Sequence, residues 1–474
     1  MASIIGNIAD GLTRSVDATV STVSEAFFEP TLRIGVTGLS RSGKTIFITS
    51  LVANLLDRGR MPGFLAAANG QIQSAYLQPQ PDDTVPRFDF ERHMSALSAA
   101  EPAWPESTRS ISELRLSLRY QPQGLVAGLG GLRTLHIDII DYPGEWLLDL
   151  SLLSKSYEDW SRQVLERARP RESAASFLQA LNAMDGSAAY DEVTAKSLAE
   201  TYTTYLHAAR SAGYSDCTPG RFLMPGDLAG SPVLTFSPLP PAHEAARRSL
   251  YREFKRRFDA YKREIVRPFF RDHFSRIDRQ VVLVDVLGAI HSGPDALEDL
   301  RLGLADTLKA FRPGRNALLS QLVRGKRVER ILFAATKADH LHHSQHGKLS
   351  AIMESMLREA RDRAEFAGAG TASLSLASLR ATTESIVEHD GRKLEMVNGV
   401  IAESGKRSAL YPGELPDDPG ELLSSARAGD AIWLNGDYQI MRFAPQRLKQ
   451  KPGEGPPHIR LDKAAEFLIG DRLR

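Results

Sequence analysis

Residues 38–45 read Gly-Leu-Ser-Arg-Ser-Gly-Lys-Thr, the pattern G-x-x-x-x-G-K-[ST], and no other feature of the sequence restricts the fold as tightly. The pattern follows an apolar run, Leu32–Thr37, that reads as a strand, and it opens a helical pattern, Ile46–Leu56. Its glycines let the backbone curl so that successive N–H groups point inward at phosphate oxygens, at the positive end of the following helix. In such a loop Lys44 reaches the β- and γ-phosphates, and the Thr45 hydroxyl ligates Mg²⁺. Gly38, Ser40, Arg41, Ser42, Gly43 and Ile46 complete the expected nucleotide-phosphate site.

Two more motifs follow in chain order. Asp141-Tyr142-Pro143-Gly144 ends the strand pattern Leu135–Ile140 and matches D-x-x-G, in which Asp141 holds the Mg²⁺ shell and the Gly144 N–H senses a γ-phosphate. Thr336-Lys337-Ala338-Asp339 ends the strand pattern Arg330–Ala335 and matches [NT]-K-x-D. The two carboxylate oxygens of Asp339 can accept the ring N–H and the exocyclic amine of guanine, a donor pair that adenine lacks. Each motif alone has a plain alternative, a turn for the first and a solvated helix start for the second. Together, each at a strand's carboxyl end, they indicate a guanine nucleotide site, because ligands of open α/β sheets bind there. Ser378 and Leu379, in the run Ala377–Thr382, stand where a guanine-supporting loop is expected. Thr108, just upstream of the strand pattern Glu113–Tyr120, is the candidate Mg²⁺ ligand and catalytic threonine of a first switch, in competition with other loop Ser and Thr residues.

Further strand patterns at Val281–Leu287 and Ala372–Ala377 alternate with helices, which indicates a mostly parallel α/β sheet. Residues 31–149 and 279–385 form its two parts, with 150–278 an all-helical insertion between them. Residues 1–30 read as an amphipathic helix ended by Pro30, with Ile4, Ile8, Leu12, Val16, Val20, Val23 and Phe27 on one face. Residues 60–107 read as an ordered insertion or a long loop. Residues 386–474 read as a mixed segment packed on the sheet domain, closing with a short helix at Asp462–Ile469. The single cysteine, Cys217, excludes a disulfide framework and fits a reducing compartment. No apolar run reaches about 18 residues, and Asp10, Arg14 and Asp17 interrupt the stretch that a signal peptide would need unbroken. The expectation is a cytoplasmic protein, with peripheral contact at the inner membrane left open.

Together the motifs resemble the Ras-like P-loop GTPases. They are more closely similar to the YcjX-like family of bacterial, stress-associated P-loop GTPases with a large helical insertion. The resemblance rests on GLSRSGKT at 38–45, WPESTRSISELRLSLRY at 104–120, DYPGEW at 141–146, TKADHL at 336–341 and RLDKAAEFLIGD at 460–471. It implies GTP and GDP binding with Mg²⁺, and a slow hydrolysis that gates contact with an unknown effector. One departure stands where many relatives of Ras carry a water-orienting Gln: here it is Glu145. A carboxylate accepts a proton from water but cannot donate to a phosphate oxygen unless protonated, so the role of Glu145 as a catalytic residue is open. The loop around Arg41 resembles that of guanylate-binding proteins and atlastins, in which this arginine is an internal finger upon self-association. A homodimer would follow from that role; the alternative is a solvated loop arginine.

Residues 247–279 carry twelve Lys/Arg and five Asp/Glu, with Tyr251, Phe254, Phe258, Tyr261, Ile265, Phe269 and Ile277 on one face. Such a stripe either packs the insertion's own core or meets an anionic surface. Overall, 59 Lys+Arg balance 58 Asp+Glu and no stacking pattern appears, so no nucleic-acid partner is expected. His340, His342, His343 and His346 cluster after the guanine motif without a metal-ligand spacing. Two other functions stay open: an ATP-driven enzyme, in which Thr336–Asp339 is incidental, and a nucleotide-stabilised scaffold that hardly hydrolyses.

Overall fold

The structure is a computed structural model. It describes residues 29–38, 42–106, 110–122, 131–242, 246–309, 328–366, 368–429, 441–448 and 451–474. The N-terminal amphipathic pattern, Ser40, Arg41 and Thr108 lie outside these residues.

Apolar runs bounded by turn residues become the strands β1 (Thr31–Gly38), β2 (Ile72–Gln78), β3 (Ser112–Tyr120), β4 (Arg133–Asp141), β5 (Arg279–Val284), β6 (Arg330–Ala335) and β7 (Gly370–Ser375). They form one sheet in the order β2-β3-β4-β1-β5-β6-β7. From β4 to β7 all neighbours are parallel; β2 and β3 add antiparallel at one edge. Strands covered on both faces must be apolar throughout, which is why Ile34, Val36, Val281, Leu283, Leu332 and Phe333 are fully buried. The helix Lys44–Leu56 packs Phe47, Ile48, Leu51 and Leu55 onto this sheet. The closing helix Leu461–Ile469 inserts Leu461, Ala464, Ala465, Leu468 and Ile469 into the same core, so the end of the chain is part of the sheet's own covering layer.

Sequence expectations are sharpened or changed at three places. Residues 60–107 hold β2 and the helix Phe90–Ser98, so of the two readings the ordered insertion fits and the long loop does not. The heptapeptide Ile72–Gln78 alternates too weakly to announce a strand; pairing with Arg115–Tyr120 makes it one. The strand expected at Val281–Leu287 stops at Val284, because the Asp285 carboxylate accepts the Gly288 N–H at 2.9 Å and starts the helix Val286–His291. Beyond β7 the chain is more regular than the mixed segment expected. Strands β8 (Thr383–His389), β9 (Arg392–Val400) and β10 (Arg407–Leu410) form an antiparallel sheet ordered β10-β9-β8, followed by the helix Pro419–Ala428.

Between β4 and β5 the described residues form helices and turns, with no strand among them. Their core is aromatic: Trp160 stacks on Phe258 with centroids 5.0 Å apart and meets Phe236 edge-on. Two of its buried tyrosine hydroxyls are satisfied by carbonyls, Tyr157 donating to Ser237 at 2.7 Å and Tyr202 to Thr218 at 2.6 Å. Tyr251, Phe254, Phe258, Tyr261, Phe269 and Ile277 are all buried in this core. The aromatic stripe is therefore consumed by packing and is no membrane-facing surface. Among the described residues no helix is long and apolar enough to cross a membrane.

Candidate nucleotide site

The phosphate loop opens at the centre of the sheet. β1 lies between β4 and β5, with Val36 beside Asp141 and Gly38 beside Leu283. A Cβ on Gly38 would stand 2.8 Å from the Leu283 carbonyl and would overlap the Ser42 side chain, so only glycine lets the chain turn there. Gly43 has φ +81°, the left-handed conformation that frees the first N–H groups of the helix Lys44–Leu56. The Ser42 hydroxyl is buried with no hydrogen-bond partner among the described residues, an orphaned polar atom inside the loop. Lys44 and Ile46 are half-buried at the helix start, and the Thr45 hydroxyl lies 3.4 Å from the Glu106 carbonyl. That contact brings the segment leading to Thr108 against the phosphate loop.

Asp141, 1% exposed, ends β4 beside Val36, at the carboxyl edge from which β1 runs on to the helix that carries Thr45. The donor set of a threonine hydroxyl and a carboxylate fits Mg²⁺, a hard cation held through oxygen and reluctant to lose its waters. Gly144 then starts the short helix Glu145–Leu148. Here the sheet meets the helical block. The buried Glu145 carboxylate lies 3.7 Å from the Arg210 guanidinium. Trp146 donates its ring N–H to the Met224 carbonyl at 3.0 Å, carries the Arg221 guanidinium 3.1 Å from its centroid, and meets Phe269 edge-on. Asp149 accepts the Gly220 N–H at 2.7 Å and the Tyr261 hydroxyl at 2.5 Å. Burial pushes the Asp149 carboxyl up to about 6, against the pull of those two donors. Gly220 passes so close that a Cβ there would overlap the Glu145 carbonyl.

The third motif lies at the carboxyl end of β6. Thr336 is buried, and its hydroxyl stands 3.3 Å from the Val284 carbonyl. Lys337 adopts φ +61° and forms an ion pair with Asp285. The buried Asp339 accepts the Ala381 N–H at 2.8 Å through Oδ2, and its carbonyl accepts the Thr382 hydroxyl. Ser378 and Leu379 are buried in the loop that delivers these contacts, and the Arg380 N–H binds the Pro457 carbonyl at 2.8 Å. Asp339 is thus held by Ala381 and Thr382, at the end of the run Ala377–Thr382 that the sequence marks as the supporting loop. A second support had no sequence signal. Gln446 donates to the Ala381 carbonyl at 2.8 Å, Phe443 meets His340 edge-on, and the Phe443 carbonyl accepts the Trp104 ring N–H at 2.8 Å.

The sheet order, the phosphate loop at its centre and the motif residues at its carboxyl edge define an α/β protein of the P-loop class, with a Ras-like sheet and added helices. The chain belongs to the YcjX-like family, DUF463, which matches residues 32–473. It is 38% identical over 458 residues to the Escherichia coli K12 protein named Ras-like GTPase YcjX, covering 94% of this chain and 96% of that protein. It is 34% identical over 468 residues to the Shewanella oneidensis protein of the same name, covering 93% and 94% respectively.

Proposed function

We propose that this chain is a Mg²⁺-dependent GTP-binding and GTP-hydrolysing switch whose nucleotide state is read by the helical block, residues 150–278. The observation that carries the readout is the run 141–150. It begins with a carboxylate at the phosphate edge and ends gripped by Gly220, Tyr261 and Met224 of the block. A γ-phosphate that draws in the Gly144 N–H would therefore pull on the block through a handful of defined contacts, because a ligand shifts conformation only through differential interaction.

Thr45 and Asp141 would hold the metal, with Thr108 completing the shell, and the metal would neutralise charge on the phosphates. Lys44 and the loop N–H groups orient the phosphates. Asp339, held by Ala381 and Thr382, reads guanine, with Thr336, Lys337, Ser378 and Leu379 shaping its loops. Glu145 engages Arg210 rather than standing free to orient water, which favours slow intrinsic hydrolysis. Arg41 would then supply transition-state charge on self-association. That both relatives are named Ras-like GTPase supports the guanine reading.

Calorimetric titration of the full chain tests it. GTP and GDP should bind far more tightly than ATP, and Asp339→Asn should move the preference toward XTP, whose carbonyl replaces the amine of guanine. Equal affinity for ATP and GTP would instead mean an ATP-driven enzyme.

A further inference from the structure

Directly after Asp339 the chain makes a turn, His343–Gln345, that begins from His342. The two adjacent imidazoles lie with centroids 4.2 Å apart and converge on one oxygen of Glu384, the second residue of β8. His343 Nδ1 is 2.6 Å from Glu384 Oε2, and His342 Nε2 is 3.7 Å from the same atom. The candidate ligand atoms of the three residues all lie within 4.8 Å of one another. Two imidazolium ions this close repel, whereas two neutral rings present lone pairs that a single cation can share with the carboxylate.

The surrounding groups already hold these side chains in that orientation. The opposite nitrogen of His342, Nδ1, lies 2.9 Å from the Ser344 hydroxyl and 3.4 Å from Glu395 of β9. Ser344 in turn donates to Glu395. The Ser344 N–H also approaches this nitrogen, at 3.5 Å, so the His342 ring is held from its Nδ1 side while Nε2 faces Glu384. The other oxygen of Glu384 accepts from Arg380 at 3.0 Å. A carboxylate backing one histidine and an arginine fixing the carboxylate ligand are the supports that orient metal ligands. The His342 side chain is 6% exposed and that of His343 70%, so the cluster is anchored on one side and open on the other.

We propose that His342, His343 and Glu384 form a binding site for a divalent transition metal of the zinc class, with Glu395, Ser344 and Arg380 orienting the ligands. Two imidazole nitrogens and one carboxylate oxygen suit Zn²⁺; Mg²⁺ and Ca²⁺ prefer oxygen throughout. Three protein ligands leave a fourth position on the side where His343 is exposed. A metal here would staple the turn after Asp339 to β8, which begins one residue beyond Thr382. The site stands on this geometry alone and does not depend on which nucleotide the chain binds.

The test is titration of chelator-stripped, full-length protein with Zn²⁺ against a chromogenic chelator, together with zinc-edge X-ray absorption. One Zn²⁺ should bind per chain with two imidazole nitrogens at about 2.0 Å and a carboxylate oxygen, and excess Mg²⁺ should not displace it. His343→Ala and Glu384→Gln should each weaken binding about tenfold or more, while His389→Ala on the far end of β8 leaves it unchanged. His343 is exposed, so the melting temperature of its metal-free variant should match wild type. Failure of the wild type to bind one equivalent, or binding that His343→Ala and Glu384→Gln leave intact, overturns the proposal.

Discussion

Two of the large cores among the described residues are built from different side chains. The sheet core around β1 is mostly aliphatic, with Ile34, Val36, Leu51, Ile137, Val281 and Leu332 packed between β-strands and covering helices. The helical block is held by Trp160, Phe177, Tyr202, Phe236, Phe254 and Phe258, and is pinned by tyrosine hydroxyls on carbonyls. Aliphatic side chains between layers carry no directional requirement beyond shape, so the sheet is a frame that locates the phosphate loop. Aromatic pairs and buried hydroxyls are directional, so the block has few good arrangements. The seam is the run 141–150, which belongs to the sheet at Asp141 and to the block from Trp146 onward.

The largest effect separates chemistry in the frame from motion in the block. If Arg41 is an internal finger, Arg41→Ala should lower kcat by about 10³–10⁵ while GTP affinity holds, and wild-type hydrolysis per chain should rise with protein concentration. A wild-type rate in that variant at every concentration would leave Arg41 a surface charge. Next is stability. Trp160→Ala should cost about 3–5 kcal/mol and split denaturant unfolding into two transitions, because the block loses its centre while the sheet core is untouched. Leu468→Ala in the sheet core should cost about 2–5 kcal/mol and produce no early transition of the block. A single shared transition in Trp160→Ala would show that the cores melt as one.

The seam itself gives a smaller, pH-dependent effect. Burial pushes the Asp149 carboxyl up to about 6 from an ordinary 3.8, so the folded state holds its proton more tightly. Its contribution to stability is complete below about pH 4 and is lost as pH rises through about 6, a change of about 3 kcal/mol. Asp149→Asn stays neutral throughout. Its stability relative to wild type should therefore rise by about that amount between pH 4 and pH 7, read from denaturant midpoints at each pH.

The frame was largely legible in the sequence. Leu32–Thr37 followed by glycine, lysine and threonine at fixed spacing carries its own interpretation, and so do strands that end on Asp141 and Thr336. What escaped depends on meetings between distant segments. β2 becomes a strand only against β3, and the end of β5 is set by the Asp285 side chain. Glu145 occupies a position that motif alignment marks as catalytic, yet its carboxylate meets Arg210, which no local pattern announces. The histidines after Asp339 lacked ligand spacing because their third partner, Glu384, lies 41 residues away on another element. The aromatic stripe was visible, but only packing decides whether such a stripe faces a core or a membrane.

On the proposed function, nucleotide state crosses the seam into the helical block. Amide hydrogen exchange on the full chain with GDP and with a non-hydrolysable GTP analogue, both with Mg²⁺, measures it directly. The account predicts that protection differs between the two states in residues 141–150 and in the segments that grip them, around Gly220 and Tyr261, while the strands β5 and β6 stay unchanged. Identical exchange throughout the block in both states would contradict it and leave a nucleotide-stabilised scaffold.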